Sequence, residues 1–156
     1  MKRPFPSILL TAAALVGMAT ALPAAAQFAK PEDAIKYRKA AFTVMAAHFG
    51  RVAAMANGKM PFDAKAVADN AEIATAMSKL PYAGFVDGSD KGDTKALPAI
   101  WTDRAGFQAA SKASDAAYDK LAVAAGSGNL EALTAAFAET GKTCGACHDK
   151  FRAKAN

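Results

Sequence analysis

Cysteine is nearly missing from this chain of 156 residues: there are two, Cys144 and Cys147, three positions apart close to one end. A disulfide framework spreads its cysteines along the chain to close loops, so these two serve a local purpose. β-branched residues are sparse and no stretch alternates apolar and polar with period two, which removes half-buried strands from consideration. The 19 basic and 14 acidic residues are scattered, with no basic block and no stripe interleaved with aromatics, so a nucleic-acid partner has no support. Beyond residue 26 no apolar run approaches the roughly 20 residues that a bilayer crossing needs. No paired acid and base or activated nucleophile stands out, and the chain does not read as an enzyme.

What the first 26 residues hold is an address. Lys2 and Arg3 open the chain, an apolar run extends from Ile8 to Ala21, and Ala24 and Ala26 supply small residues for a cleavage site. This is the pattern of a secretory signal peptide; a membrane anchor is the alternative, against which the short run and the Ala-x-Ala site both speak. Cleavage after Ala26 would leave one domain, 27–156, of ordinary size and long enough to bury a core. It would be exported, free of the membrane. Residues 1–26 hold two basic and no acidic residues, so the remaining chain carries +3 rather than the +5 of the whole sequence.

The rest reads as helix. Alanine is abundant, and turn signals separate four segments. The first starts near Pro31, with Glu32 and Asp33 at the positive end of its dipole. It carries Ile35, Phe42, Met45, Phe49, Val52 and Ala56 on one stripe and stops at Asn57-Gly58. Asp63 is a cap for the second, which carries Val67, Ile73, Met77 and Leu80 and ends before Pro81. A glycine-rich connection, 81–98, is the one long loop, and long loops in small domains are often functional. The third starts near Thr102 or Asp103, carries Phe107, Ala110, Ser114, Tyr118 and Leu121, and stops near Gly126. The fourth begins at about Asn129 and puts Leu130, Leu133, Phe137, Cys144, His148 and Phe151 on one face. One apolar stripe per helix and mostly short loops describe an all-α protein, an antiparallel four-helix bundle.

Cys144-Gly145-Ala146-Cys147-His148 is a Cys-x-x-Cys-His pattern, the attachment signal of c-type haem. Helix positions three and four apart share a face. Both thiols can therefore reach haem vinyl groups, while the His148 imidazole comes to the iron as an axial ligand. The expected cofactor is one covalent haem c on the last helix. A thioredoxin-like dithiol belongs near a βαβ pattern, which is absent. A structural zinc site wants four ligands, and a disulfide within one helix turn is geometrically poor.

His148 lies eight residues from the end, so any second protein ligand to the iron must come from an earlier helix. Met45, Met55, Met60, Met77 and His48 are the candidates. A Met on an apolar helix face is usually packing, and His48 falls beside the seam rather than on it. Arg38 sits on the inner stripe where an apolar residue would be expected. A buried guanidinium needs a partner, and a haem propionate suits its two-pronged geometry; the alternative is an arginine that snorkels to solvent.

These residues resemble the cytochrome c prime family, the class II c-type cytochromes. The resemblance spans Gln27 to Lys154. Its carriers are residues 27–38, His48-Phe49-Gly50-Arg51, Leu80-Pro81 with Tyr82, Ile100-Trp101, and Cys144 through Arg152. It implies a periplasmic four-helix bundle, usually a homodimer packed through its first two helices, with five-coordinate high-spin iron held by His148. It implies Phe42 facing the iron in a closed apolar distal pocket, and Arg38 with Lys39 in the propionate region. Asp93 and Thr94 of the long loop would approach the haem edge, and Arg152 would stand on the proximal side. The function implied is one-electron transfer with a redox partner that the sequence does not name, together with binding of small gases, nitric oxide and carbon monoxide. A low-spin six-coordinate carrier, with Met45 or a neighbour on the iron, is the alternative inside the class. A secreted dithiol oxidoreductase is the alternative outside it.

Overall fold

The computed structural model describes residues 27–154; the expected export signal lies outside the described residues. Four long helices run α1 (Pro31–Ala56), α2 (Ala64–Ser78), α3 (Arg104–Gly126) and α4 (Leu130–Phe151). Each packs on the next, and α1 also meets α4 to close the bundle. Local chemistry sets the ends. Pro31 opens α1 with Glu32 and Asp33 in its first turn. Asp63, Asp103 and Asn129 cap α2, α3 and α4 by accepting the backbone N–H three residues on, at 2.9, 2.9 and 3.0 Å. Gly58, with φ of 68°, turns the chain out of α1 in a conformation that costs other residues energy.

The second helix differs from expectation. Val67, Ala71, Ala74 and Ser78 are the buried residues of α2, whereas Ile73 and Leu80 are about 40 % exposed. Small side chains on the inner face let α2 approach its neighbours closely, and the bulkier Ile73 then falls outside the contact. Leu130, at the first turn of α4, is likewise exposed. The long connection is not irregular throughout. It contains a 3-10 turn at Pro81–Gly84 and one helical turn at Ala99–Thr102, which Asp103 separates from α3.

Two apolar clusters result. One joins Val52, Met55, Val67, Tyr118, Leu121 and Leu133 at the end where α1 turns into α2. The other centres on Ile100, Phe107 and Phe151 at the opposite end, under the long connection. Among the described residues no helix is long and apolar enough to cross a membrane.

Candidate functional site

Between the second cluster and the first half of α1 lies a cavity of about 520 Å³, within the range of cofactor sites. Cys144, Cys147 and His148 reach it from α4, Phe42 and Met45 from α1, and Tyr82 and Phe85 from the connection. The three and four spacing of the motif has put all three of its functional side chains on the cavity wall. No disulfide joins the two sulfurs. Burial pushes each thiol's pKa up, and for Cys147 the neighbouring Cys144 adds to the effect. Dithiol oxidoreductases need the opposite, a nucleophilic cysteine with a lowered pKa. The His148 imidazole is pushed down, first by burial and then by Arg152, against the pull of Asp149. A neutral imidazole is the form that ligates a metal.

Arg38 is 2 % exposed, so it does not snorkel. Its guanidinium is sunk into the long connection. Nη1 donates to the Gly84 carbonyl at 2.8 Å and to Ser89 Oγ at 2.7 Å; Nη2 donates to the Ser89 carbonyl and Thr94 Oγ1, both at 2.8 Å. The group also lies over the Phe85 ring, 4.4 Å from its centroid, a favourable cation–π placement. Burial lowers its pKa. Gly84 makes the arrangement possible: a Cβ there would stand 2.7 Å from the Ala34 carbonyl oxygen. Lys39, next to Arg38, pairs at the surface with Asp93. Asp93 and Thr94, placed near the site from resemblance alone, thus do line the cavity, strapped to α1 by two cations.

Arg152 lines the same cavity from the end of α4. Its backbone forms a bridge with Ala96, and Ala153 N donates to the Lys95 carbonyl at 2.8 Å. Of the five possible second iron ligands, Met45 alone reaches the cavity. Met55 belongs to the far cluster and Met60 is half exposed. His48 instead hydrogen-bonds Asn70 through Nδ1 at 2.8 Å.

Sequence reasoning left out several of the cavity's residues. Phe85, Phe107 and Ser114 line it, and Ser89 anchors Arg38. Their signal was weak: one aromatic in a loop or one serine on a helix stripe is ordinary until the fold brings them together.

A large, mainly apolar cavity with two thiols and an imidazole on one wall, and Lys39, Lys95 and Arg152 at its rim, fits a flat macrocycle with two carboxylate tails. Among the described residues no group of three His, Cys, Asp or Glu side chains is disposed to hold a bare metal ion, so the zinc alternative has no site. A helical bundle with a Cys-x-x-Cys-His motif on its last helix is a c-type cytochrome of the bundle kind. Residues 33–152 match the family described as Cytochrome C'. The chain belongs to the cytochrome c prime family and carries covalent haem c. It is 54 % identical over 129 residues to cytochrome c′ of Rubrivivax gelatinosus, covering 82 % of this chain and all of that one. The crystal structure of the R. gelatinosus protein superposes with a TM-score of 0.79 over 81 % of this chain. Cytochrome c prime from Shewanella frigidimarina is 46 % identical, with a TM-score of 0.79, over 81 % of this chain and 99 % of that one. A nitric oxide complex of a mutant cytochrome c prime from Alcaligenes xylosoxidans is 44 % identical with a TM-score of 0.78, over 82 % of this chain and 99 % of that one. Family membership removes the dithiol oxidoreductase reading.

Proposed function

We propose that this chain is a periplasmic monohaem cytochrome with five-coordinate, high-spin iron that transfers single electrons and binds nitric oxide and carbon monoxide. The observation that carries the reading is the cavity itself. One wall presents Cys144, Cys147 and His148; the facing wall presents Phe42, whose ring packs edge-on against Tyr82 and Phe85 at centroid distances of 6.3 and 6.4 Å. When bound, the haem supplies a redox-active iron. The protein's part is to hold it by two thioethers and an imidazole, to exclude water, and to choose what else enters.

Phe42 is the lid. A hydrocarbon ring there admits small neutral diatomics and rejects charged or bulky ligands, which would lose hydration without gaining a partner. Arg152 stands beside His148 on the proximal side. Lys39 and Arg38 line the cavity where the propionates would lie, with both Nη atoms of Arg38 engaged by the loop. That a related cytochrome c prime has been solved as a nitric oxide complex supports the gas-binding part. Removal of residues 1–26 on export, and pairing of two copies through the first two helices, belong to the same reading.

A second reading has one observation in its favour: Met45 reaches the cavity, and a thioether on the iron would give a low-spin carrier. The visible spectrum of the reduced protein, with and without carbon monoxide, decides between them. A high-spin spectrum with a large carbon monoxide shift is expected. A sharp low-spin spectrum indifferent to carbon monoxide would overturn the five-coordinate assignment.

A further inference from the structure

A second cavity, of about 420 Å³, lies between the segment that leads into α1, the 3-10 turn and the start of α3. Pro31, Ala83 and Val86 give it apolar walls. Asp87 and Arg104, exposed and ion-paired with each other, line it too. Tyr82 and Phe85 border this cavity and the cofactor cavity alike. A side chain that borders two spaces is the whole thickness of the partition at that point. The same two rings are the ones that pack edge-on against Phe42. The backbone beside Phe85 is pinned on both sides. The Gly84 carbonyl accepts from Arg38 Nη1 at 2.8 Å, and the Val86 carbonyl accepts from Trp101 Nε1 at 3.1 Å. With the backbone held, the rings give way by turning about side-chain bonds, a fast motion compared with any movement of the loop.

We propose that this second cavity is the portal through which neutral diatomic gases reach the Phe42 side of the cofactor cavity, with the Tyr82 and Phe85 rings as its door. The haem would fill the main cavity and its carboxylate tails the mouth beside Lys39, Lys95 and Arg152. That mouth then leads past the haem, whereas the partition of two rings is the short way to the face that meets Phe42. A neutral diatomic crosses an aromatic partition at little cost, while an ion would lose its hydration there. The portal sets rate and not preference. A gas leaves by the way it came, so a higher barrier on that path slows entry and exit by the same factor and leaves affinity untouched. The inference rests on the vacant iron position proposed above and deepens it.

The test uses the full, haem-loaded protein in a Phe42→Ala background, so that the lid no longer sets the rate and the portal does. Ala29→Trp and Ala83→Phe each add bulk to the second cavity. Ala29 is exposed and precedes α1, so its substitution leaves the packing of the bundle alone. An unchanged visible spectrum of the ferrous protein shows that the haem site is intact. The readouts are the association rate of carbon monoxide after rapid mixing and its dissociation rate by ligand displacement. Both are expected to fall together, by about tenfold in at least one of the two variants, with their ratio unchanged. Rates equal to those of the background in both variants overturn the portal alone. Slower association with unchanged dissociation overturns it too, since that is a lost affinity rather than an obstructed path. Failure of the unsubstituted protein to bind carbon monoxide overturns the vacant-position reading, and the portal with it.

Discussion

At one end of the bundle Val52, Met55, Val67, Leu121 and Leu133 interdigitate, and Ala71, Ala74 and Ala125 let the helices close on one another. At the other end the same four helices are held apart by rings. Phe107 touches Phe85, Tyr82 and Phe151 at centroid distances of 4.9, 5.9 and 5.3 Å. Aliphatic residues and alanines produce a filled core; an arch of edge-to-face aromatics produces a wall that stands without filling the space behind it. The bundle topology is common to both ends. The difference in side chains makes one end a scaffold and the other a cofactor site.

The largest effect should come from removing what the open end is built to hold. Cys144→Ala with Cys147→Ala should abolish covalent haem, so that protein made with the maturation machinery weighs only what its polypeptide weighs. Hydrogen exchange should then rise at the aromatic end while amides around Leu121 and Leu133 stay protected. Equal loss of protection at both ends would break the division between scaffold and site. Next in size is Leu133→Ala at the filled end. Leu133 is fully buried, and truncating such a leucine costs about 2–5 kcal/mol. The melting temperature should drop, while the visible spectrum of the haem-loaded protein stays as it was.

The filled end was the more legible in the sequence, although Ile73 and Leu130, both expected on buried stripes, are exposed. Heptad spacing located Val52, Val67, Leu121 and Leu133 because a bulky apolar residue every three or four positions is what one buried helix face requires. It misplaced Ile73, since the inner face of α2 is made of Ala71 and Ala74, and small residues carry almost no hydrophobic signal. At the open end, the motif residues were legible because their spacing is dictated by covalent chemistry. Arg38 announced itself as a charge on an apolar stripe. Its partners did not, because the acceptors are the carbonyls of Gly84 and Ser89 and two hydroxyls, and no pattern of residue types encodes a backbone oxygen. The third prediction follows from that gap. Arg38→Met keeps the volume and removes four hydrogen bonds from a charged donor, each of a kind worth about 1.5–3 kcal/mol. Amide exchange in residues 81–98 should accelerate at least tenfold, with the Leu121 and Leu133 regions unchanged. Unchanged exchange in the loop would show that the aromatic arch alone holds the open end.

The smallest expected effect concerns charge at the open end. Asp103 caps α3 through Gly106 N and also pairs with Lys150 Nζ of α4 at 2.6 Å, tying the start of one helix to the end of another. At the filled end the ion pair Lys65–Asp69 stays within α2 and ties nothing together. The hydrogen bond from Lys150 is the main cause holding the Asp103 carboxyl below its ordinary range, with the Gly106 N–H second. A folded-state pKa below the unfolded one means stabilisation that is present above the unfolded value, near pH 4, and lost as pH falls through the folded value. Asp103→Asn keeps a good cap and deletes the charge. The substituted protein should therefore melt slightly below the original at neutral pH, by less than Leu133→Ala does. The gap should close as the solution is acidified below about pH 4, and shrink in high salt because the pair is exposed. A gap independent of pH would assign the loss to the cap rather than to the tie. The open end would then owe its closure to the loop with its Arg38 and Lys39 straps, the rings and the haem, with no share from the Asp103–Lys150 pair.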